Sequence, residues 1–368
     1  MNVFASVPGA VIDDAGLQHL GNPLAEQRAL ASGAAVAPLG DRSVLAVSGE
    51  DRLTWLDSLT SQALARLAPG VGTEFLVLDP QGRIEHAASV IDDGVTTWLI
   101  ADAADAEGLR VWLTRMRFRL RVDPQDAGDR FAVVGGTPEA VSSLAASPNA
   151  VPLVWRDPWP GVADGGWGYA TPATHPGAHR AWAEAIVGVD TLAELASAAA
   201  RGEVALAGQT AAEALRVAAW RPRRGDIDER SLPHEFDWLR TAVHLSKGCY
   251  RGQETVAKVH NLGHPPRRLV ALQLDGSDSV LPGRGAAVRR GGDVVGEVTA
   301  SALHFEDGPI ALAVIRRGIG IDEPLVVDTA EGQIAAAQEI IVPPEAGATA
   351  GVPRITRLSR RAAATPPA

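Results

Sequence analysis

The sequence predicts an α+β protein that ends in a small all-β barrel. Three observations carry this. From about residue 41 to 218, strand-like and helix-like runs are mixed without a regular βαβ repeat, the pattern of sheets covered by helices. After Pro265-Pro266-Arg267-Arg268 the chain changes to short strands separated by glycine turns. Hydrophobic residues make up 46% of the 368, enough for sizeable cores in about two or three domains.

The elements follow in order. Leu24 to Ala31 reads as a short helix inside a Gly/Pro-punctuated start. Val44 to Val47 is an apolar strand, and Ser48-Gly49-Glu50-Asp51 reads as a capping box, a hydroxyl followed three positions on by a carboxylate. Leu53, Leu56, Leu64 and Leu67, with Ala63, share one helical face, and Pro69-Gly70 ends that helix. A meander comes next. Glu74 to Asp79, Ile84 to Ile91 and Val95 to Ile100 are strands, joined by the turns Pro80 to Arg83 and Asp92-Asp93-Gly94. Asp102 caps a helix running to Phe118, and Leu120 to Val122 returns as a strand. Further helices are expected at Pro138 to Ala146, Ala178 to Val187, Leu192 to Arg201 and Gln209 to Val217, with a strand at Val151 to Trp155. Five strands form the barrel pattern: 269–274, 286–290, 294–299, 310–315 and 324–327. Residues 346–368 are Ala/Arg/Pro-rich, lack periodicity and read as a flexible tail.

Composition excludes several classes. No apolar run approaches the ~20 residues that span a bilayer. Met1 to Ala10 lacks the basic and apolar regions of a signal peptide, so a cytoplasmic protein with no membrane partner is expected. A formal net charge of -10 argues against direct nucleic-acid binding. One cysteine excludes an intrachain disulfide framework. His175 and His179 lie four apart without a third ligand, so no metal site is expected. Arg115, Arg117, Arg119 and Arg121 alternate with apolar residues; a solvated face is the simpler reading, a site for a polyanionic tail or RNA the sharper one. The tryptophans Trp55, Trp112 and Trp220 read as core.

The chemistry concentrates in Lys247-Gly248-Cys249-Tyr250-Arg251-Gly252-Gln253-Glu254. Glycines flank the Cys-Tyr-Arg core and leave room for something to approach. A lysine two residues before the lone thiol lowers its pKa if the side chains converge, and the thiolate is the reactive form. Cys249 and Lys247 are therefore the candidate catalytic pair. One thiolate does not supply the four ligands of a typical metal cluster, so a role as cluster ligand needs a second chain, a partner or an exogenous thiol.

Two motifs carry a family resemblance. Leu215-Arg216, Gly225-Asp226-Ile227-Asp228-Glu229, Pro233 and Glu235 are similar to the L-R…G-x-D-I-D…P-x-E stretch of the aminomethyltransferase (glycine cleavage T-protein) superfamily. K-G-C-Y-x-G-Q-E at Lys247 to Glu254 resembles the signature of the YgfZ family within it. The resemblance extends from about Asp41 to Val342. It implies a three-domain ring: residues 1–264 as two interleaved α+β domains binding folate, 265–345 as the β-barrel, and 346–368 as the tail. It implies tetrahydrofolate or a related folate in the central opening, with Arg216, Asp228, Tyr250, Gln253 and Glu254 as contacts and Cys249 on a loop facing it. It further implies a transient iron–sulfur cluster, client or assembly proteins as partners, a monomer, and indirect support of tRNA modification.

The superfamily's acidic pair reads Glu85-His86 here, its pterin-holding glutamate Ala170, and an arginine of its A-R-D-x-L-R run Ala212. Classical aminomethyl transfer is therefore not expected. A one-carbon transferase using Glu85 or His86 as base is the alternative, and a scaffold without chemistry is the third.

Overall fold

The computed structural model describes residues 3–170, 175–276 and 280–351. An opening hairpin, β1 (Val11–Asp13) and β2 (Gly16–His19), leads to α1 (Pro23–Ala31). Asn22 accepts the Ala25 amide and Pro23 sits in the first turn, so the start of α1 is fixed locally. After β3 (Ala37–Pro38) come β4 (Arg42–Ser48), α2 (Arg52–Leu59), β5 (Gly72–Leu78), β6 (Ile84–Asp92), β7 (Thr96–Asp102), α3 (Ala103–Met116) and β8 (Asp123–Asp126). Five of these strands form one sheet in the order β5-β6-β7-β4-β8, with the meander antiparallel as expected. Leu99, Leu109 and Leu113 pack α3 onto one face of this sheet, together with Trp55 and Leu56 of α2.

A second sheet has the order β10-β11-β9-β3, built from β3, β9 (Phe131–Gly136), β10 (Val154–Arg156) and β11 (Ala183–Gly188). Three helices complete this part: α4 (Pro138–Ser142), α5 (Val189–Ala200) and α6 (Gln209–Ala218). Then α7 (Gln253–Leu262) precedes the barrel strands β12 (Arg267–Leu274), β13 (Ala287–Arg290), β14 (Asp293–His304), β15 (Gly308–Arg316), β16 (Leu325–Thr329) and β17 (Gly332–Ile340). They close in the order β12-β15-β14-β13-β16-β17, with β17 pairing back to β12. Val270, Val288, Ala313 and Val327 fill the interior. Leu269, Ala302, Leu312 and Val314 face outward and pack on Trp220, Phe236 and Trp238, which seats the barrel against the rest. Gln27 of α1 ties it from the other side, donating to the Leu303 carbonyl at 2.9 Å and accepting the Phe305 amide at 3.0 Å.

Several expected elements differ. The helix expected through Leu67 stops at Leu59, because the next residues bond to a distant segment: Ser61 Oγ donates to the Ala242 carbonyl and Gln62 to that of Thr241. Leu64 and Leu67 still join the α2 core, from a loop. Ser48 is the last residue of β4 and not a cap; Asp51 takes the cap position, and its carboxylate accepts the Arg121 amide instead of one in its own helix. The return strand lies at β8, later than 120–122. The largest correction is 178–187. This alanine-rich run ends in β11, whose Ala183, Ala185 and Val187 face one core while Ile186 faces another. Burial on both faces overrides helix propensity. A sixth barrel strand, β17, was not expected, since its Ala-rich sequence lacks β-branched residues apart from Ile334 and Ile340. Of the expected tail, 346–351 lies against α7: Ala346 is buried and the Thr349 amide donates to the His260 carbonyl. Residues 352–368 lie outside the described residues.

Candidate functional site

Two features bear on function: a crevice lined by charged residues, and the loop that carries Cys249.

The crevice is a cavity of ≈ 680 Å³ between the opening hairpin, the start of α1, α6 and β14 of the barrel. Its floor is a smaller space of ≈ 60 Å³ under β6, reached past Arg42, Arg180, Trp182, Glu184, Arg216 and Arg223, which line both. Arg180, Trp182 and Glu184 are spaced two apart along the extended run into β11, so they project to one side. The Arg180 guanidinium lies 4.8 Å from the centre of the Trp182 ring. The Trp182 indole N–H points to one Glu184 oxygen at 3.4 Å, and Arg42 Nε is 3.7 Å from that oxygen. Among the described residues nothing bonds the second Glu184 oxygen. At the floor Arg221 is held by Glu74 at 2.7 Å and by Asp157, between the rings of Trp155 and Trp159.

Arg216 is buried, and both ends of its guanidinium are taken. Asp226 accepts from it at 2.6 and 3.1 Å, Glu213 at 2.6 and 2.8 Å. Burial raises the Glu213 carboxyl, but Arg216, then Arg223 and Arg42, overcome this and hold it at about 2. A depressed carboxyl contributes stability that is present above its ordinary value of 4.5 and lost as pH falls toward 2. Urea unfolding at pH 7 and pH 3 is expected to show a smaller loss on acidification for Glu213→Gln than for the wild type. Equal losses would remove Glu213 from the network.

Of the seven residues singled out from sequence, Arg216 alone lines the crevice. Asp228 instead grips Arg267 at the start of β12, at 2.8 and 3.1 Å, and Arg267 also reaches Glu235, so this acidic turn anchors the barrel. Serine, arginine and amide donors around it hold the Asp228 carboxyl far below its usual value against the cost of burial. Ala170 lies outside the crevice lining; its carbonyl accepts from Arg240, itself paired with Asp237. The acid beside Trp182 at the inner end of the crevice is Glu184, which the sequence reading missed because it placed a helix over that run. Ala212 does line the crevice. The arginines 115–121 sit on the exposed end of α3 and the following turn, where Arg121 pairs with Glu50 and Arg117 with Asp123; none lines the crevice. His175 is buried between Trp159 and Trp220, and burial, with Arg240, pushes it down to about 4. Among the described residues no group of three metal-ligating side chains occurs.

The cysteine loop is clamped at its ends and open in the middle. The sequence places Lys247 beside the thiol as its polariser. In the structure its ammonium donates to the carbonyls of Asp57, Thr60 and Gln62, which uses all three protons. Gln253 donates back to the Lys247 carbonyl at 3.1 Å and closes the loop. Tyr250 is buried in the core shared with the barrel, its ring 5.5 Å from the Lys247 ammonium. Burial raises its phenol. Glu254 is exposed in the first turn of α7, where a carboxylate suits the helix dipole. Arg251 pairs with Glu85 at 2.7 Å, so the carboxylate at the place of the superfamily's acidic pair is engaged by the cysteine motif. His86 turns the other way, to Asp105 of α3 at 2.9 Å. Gly252 has φ +85, and a Cβ there would sit 2.6 Å from the Asp79 carbonyl oxygen. Gly248 faces open space and Cys249 is exposed. Cys249 lines neither the crevice nor its floor.

No family model matches the chain. An aminomethyltransferase of Rippkaea orientalis is 28% identical over 323 residues, 82% of this chain and 84% of that protein. The mitochondrial iron–sulfur cluster assembly factor IBA57 of Mus musculus is 32% identical over 115 residues, 30% of each chain. The crystal structure of glycine cleavage system aminomethyltransferase T from Bartonella henselae superposes with a TM-score of 0.70 at 17% identity, over 91% of this chain and 94% of that one. The chain has the glycine cleavage T-protein fold, and its homologues are aminomethyltransferase-type proteins. Within this T-protein fold the crevice and the cysteine loop are separate: the carboxylates and arginines surround the first, and the thiol stands outside it on the second.

Proposed function

We propose that this chain is a YgfZ-type accessory protein of iron–sulfur cluster assembly or repair, which binds a reduced folate in the crevice and offers Cys249 to a partner. The observation that carries the reading is the cysteine loop. A lone thiol in an otherwise reinforced loop, exposed and outside the crevice lining, is suited to reaction between molecules. A cluster needs more ligands than one thiolate, so the partner supplies the others and the cluster is cargo. Similarity to the mouse assembly factor over 115 residues supports the same role. In this reading tRNA modification benefits indirectly, through cluster-dependent enzymes, and the compartment is the cytoplasm. The boundaries near 264 and 345 stay as proposed domain limits.

Folate fits the crevice on two grounds. Its size lies within the ~300–1,000 Å³ of small-molecule sites. Trp182 offers a flat wall beside the buried Glu184 carboxylate, which accepts from ring N–H groups. Bound there, folate would supply redox or carbon-carrying chemistry; this chain's residues bind and orient it. Arg251 engages Glu85, which weighs against the one-carbon transferase reading.

The test is complementation of a strain lacking its own family member. Wild type is expected to restore cluster-dependent enzyme activity, and Cys249→Ser, equally abundant and folded, to fail. Full rescue by the serine variant would leave a scaffold without thiol chemistry.

A further inference from the structure

The crevice is rich in arginine, yet its arginines are already taken. Arg223 lies 2.7 Å from Asp41 and 3.2 Å from Asp102, and Arg42 also pairs with Asp102. Arg180 is 3.2 Å from Asp157, and Arg216 is held from two sides as described. The crevice lining holds as many carboxylates as arginines, four of each, and several of the arginines' partners lie just behind it. Its outer wall runs from Asp13 to Leu24 on one side and over Leu281 and Ser301 to Leu303 on the other. Among the described residues that wall contains no lysine or arginine, and its one charged lining residue is the exposed Asp13.

A chain of γ-linked glutamates gains affinity where unpaired cations meet its carboxylates. Here such a tail would leave past an acidic residue, on a protein of formal net charge -10. The inner end is different. Trp182 and the Glu184 oxygen that no described residue bonds suit a flat ring with N–H donors, and neither calls for an anion. We infer that the crevice selects its ligand by the ring end and gains nothing from a polyglutamate tail, so that its ligand class is a reduced pterin with a short tail. The inference rests on the folate reading above and narrows it.

Titration calorimetry at low salt with 6-methyltetrahydropterin, tetrahydrofolate and tetrahydrofolate triglutamate tests it. The three dissociation constants are expected to agree within about threefold, less than one well-placed surface ion pair contributes. Triglutamate binding tenfold or more tighter than tetrahydrofolate would overturn the inference and leave the folate reading standing. No heat from any of the three would remove the folate reading, and this inference with it. A second arm uses Leu303→Lys, which puts a cation on the outer wall at a 46% exposed position. In that variant the triglutamate is expected to gain about two- to fivefold over tetrahydrofolate. No gain in a folded variant would mean that the tail does not pass this wall, and the inference would fall.

Discussion

Arg216→Ala is expected to lower folding stability by about 3–5 kcal/mol, the range for breaking a buried ion pair from one side. The residue sits on α6 with its side chain 6% exposed. Removing it leaves the Asp226 carboxylate, 3% exposed, without the guanidinium that neutralises it. It also frees Glu213 to repel Asp41, whose carboxyl Arg42 and Arg223 hold below its usual value against the cost of burial. Lysine at this position keeps the charge but not the planar fork that serves two carboxylates at once. Arg216→Lys should therefore fall between wild type and alanine. Urea unfolding at pH 7 measures all three. An alanine variant within about 1 kcal/mol of wild type, with ligand binding lost, would return Arg216 to the ligand and take it out of the fold.

Gly252→Ala is expected to cost about 2–4 kcal/mol, combining left-handed strain with overpacking. The φ of +85 is strained for any residue with a side chain. Here the added methyl also meets backbone: the Asp79 oxygen at 2.6 Å and Gly82 Cα at 3.1 Å. Neither atom belongs to a flexible side chain, so the loop must move as a body. Gly248→Ala, in open space four residues earlier, is the control and should change stability by less than about 0.5 kcal/mol. Complementation adds a second readout. If Cys249 works from a fixed position, Gly252→Ala lowers rescue even at a temperature where the protein is folded. Equal stability of the two alanine variants would show that the close approach to the β5–β6 turn relaxes without cost.

The parts of the fold legible in sequence were those set by local chemistry. The Asp-Gly hairpin, the short helix at Leu24 to Ala31 and the glycine-punctuated barrel strands all carry signals within a few residues. The α+β class with its closing barrel followed from them. The run into β11 was not legible, because alanine favours helix and its strand character comes from packing on both faces. That one misreading hid Glu184 and Trp182, which become neighbours on a cavity wall only in an extended chain. The rest of the crevice was beyond local reading for another reason. Asp41, Asp102, Asp157, Arg180, Glu213 and Arg223 come from segments up to 182 positions apart. Only the folded sheets bring them together. Around Cys249 the motif was visible at once, but the role of its lysine was not, since the three carbonyls that take up its ammonium lie some 190 residues earlier.

That carbonyl cage has a practical side. The protein has only two lysines, Lys247 and Lys258, against a large complement of arginines. With its nitrogen enclosed and its side chain 3% exposed, Lys247 is closed to acylating reagents. Lys258 stands exposed on α7, nine positions from an exposed thiol. Apart from the chain's own amino terminus, amine-directed dyes have one target and thiol-directed dyes another, on adjoining elements. The molecule can therefore carry two orthogonal reporters in its native sequence, one on the loop and one on the helix behind it, without a single engineered handle.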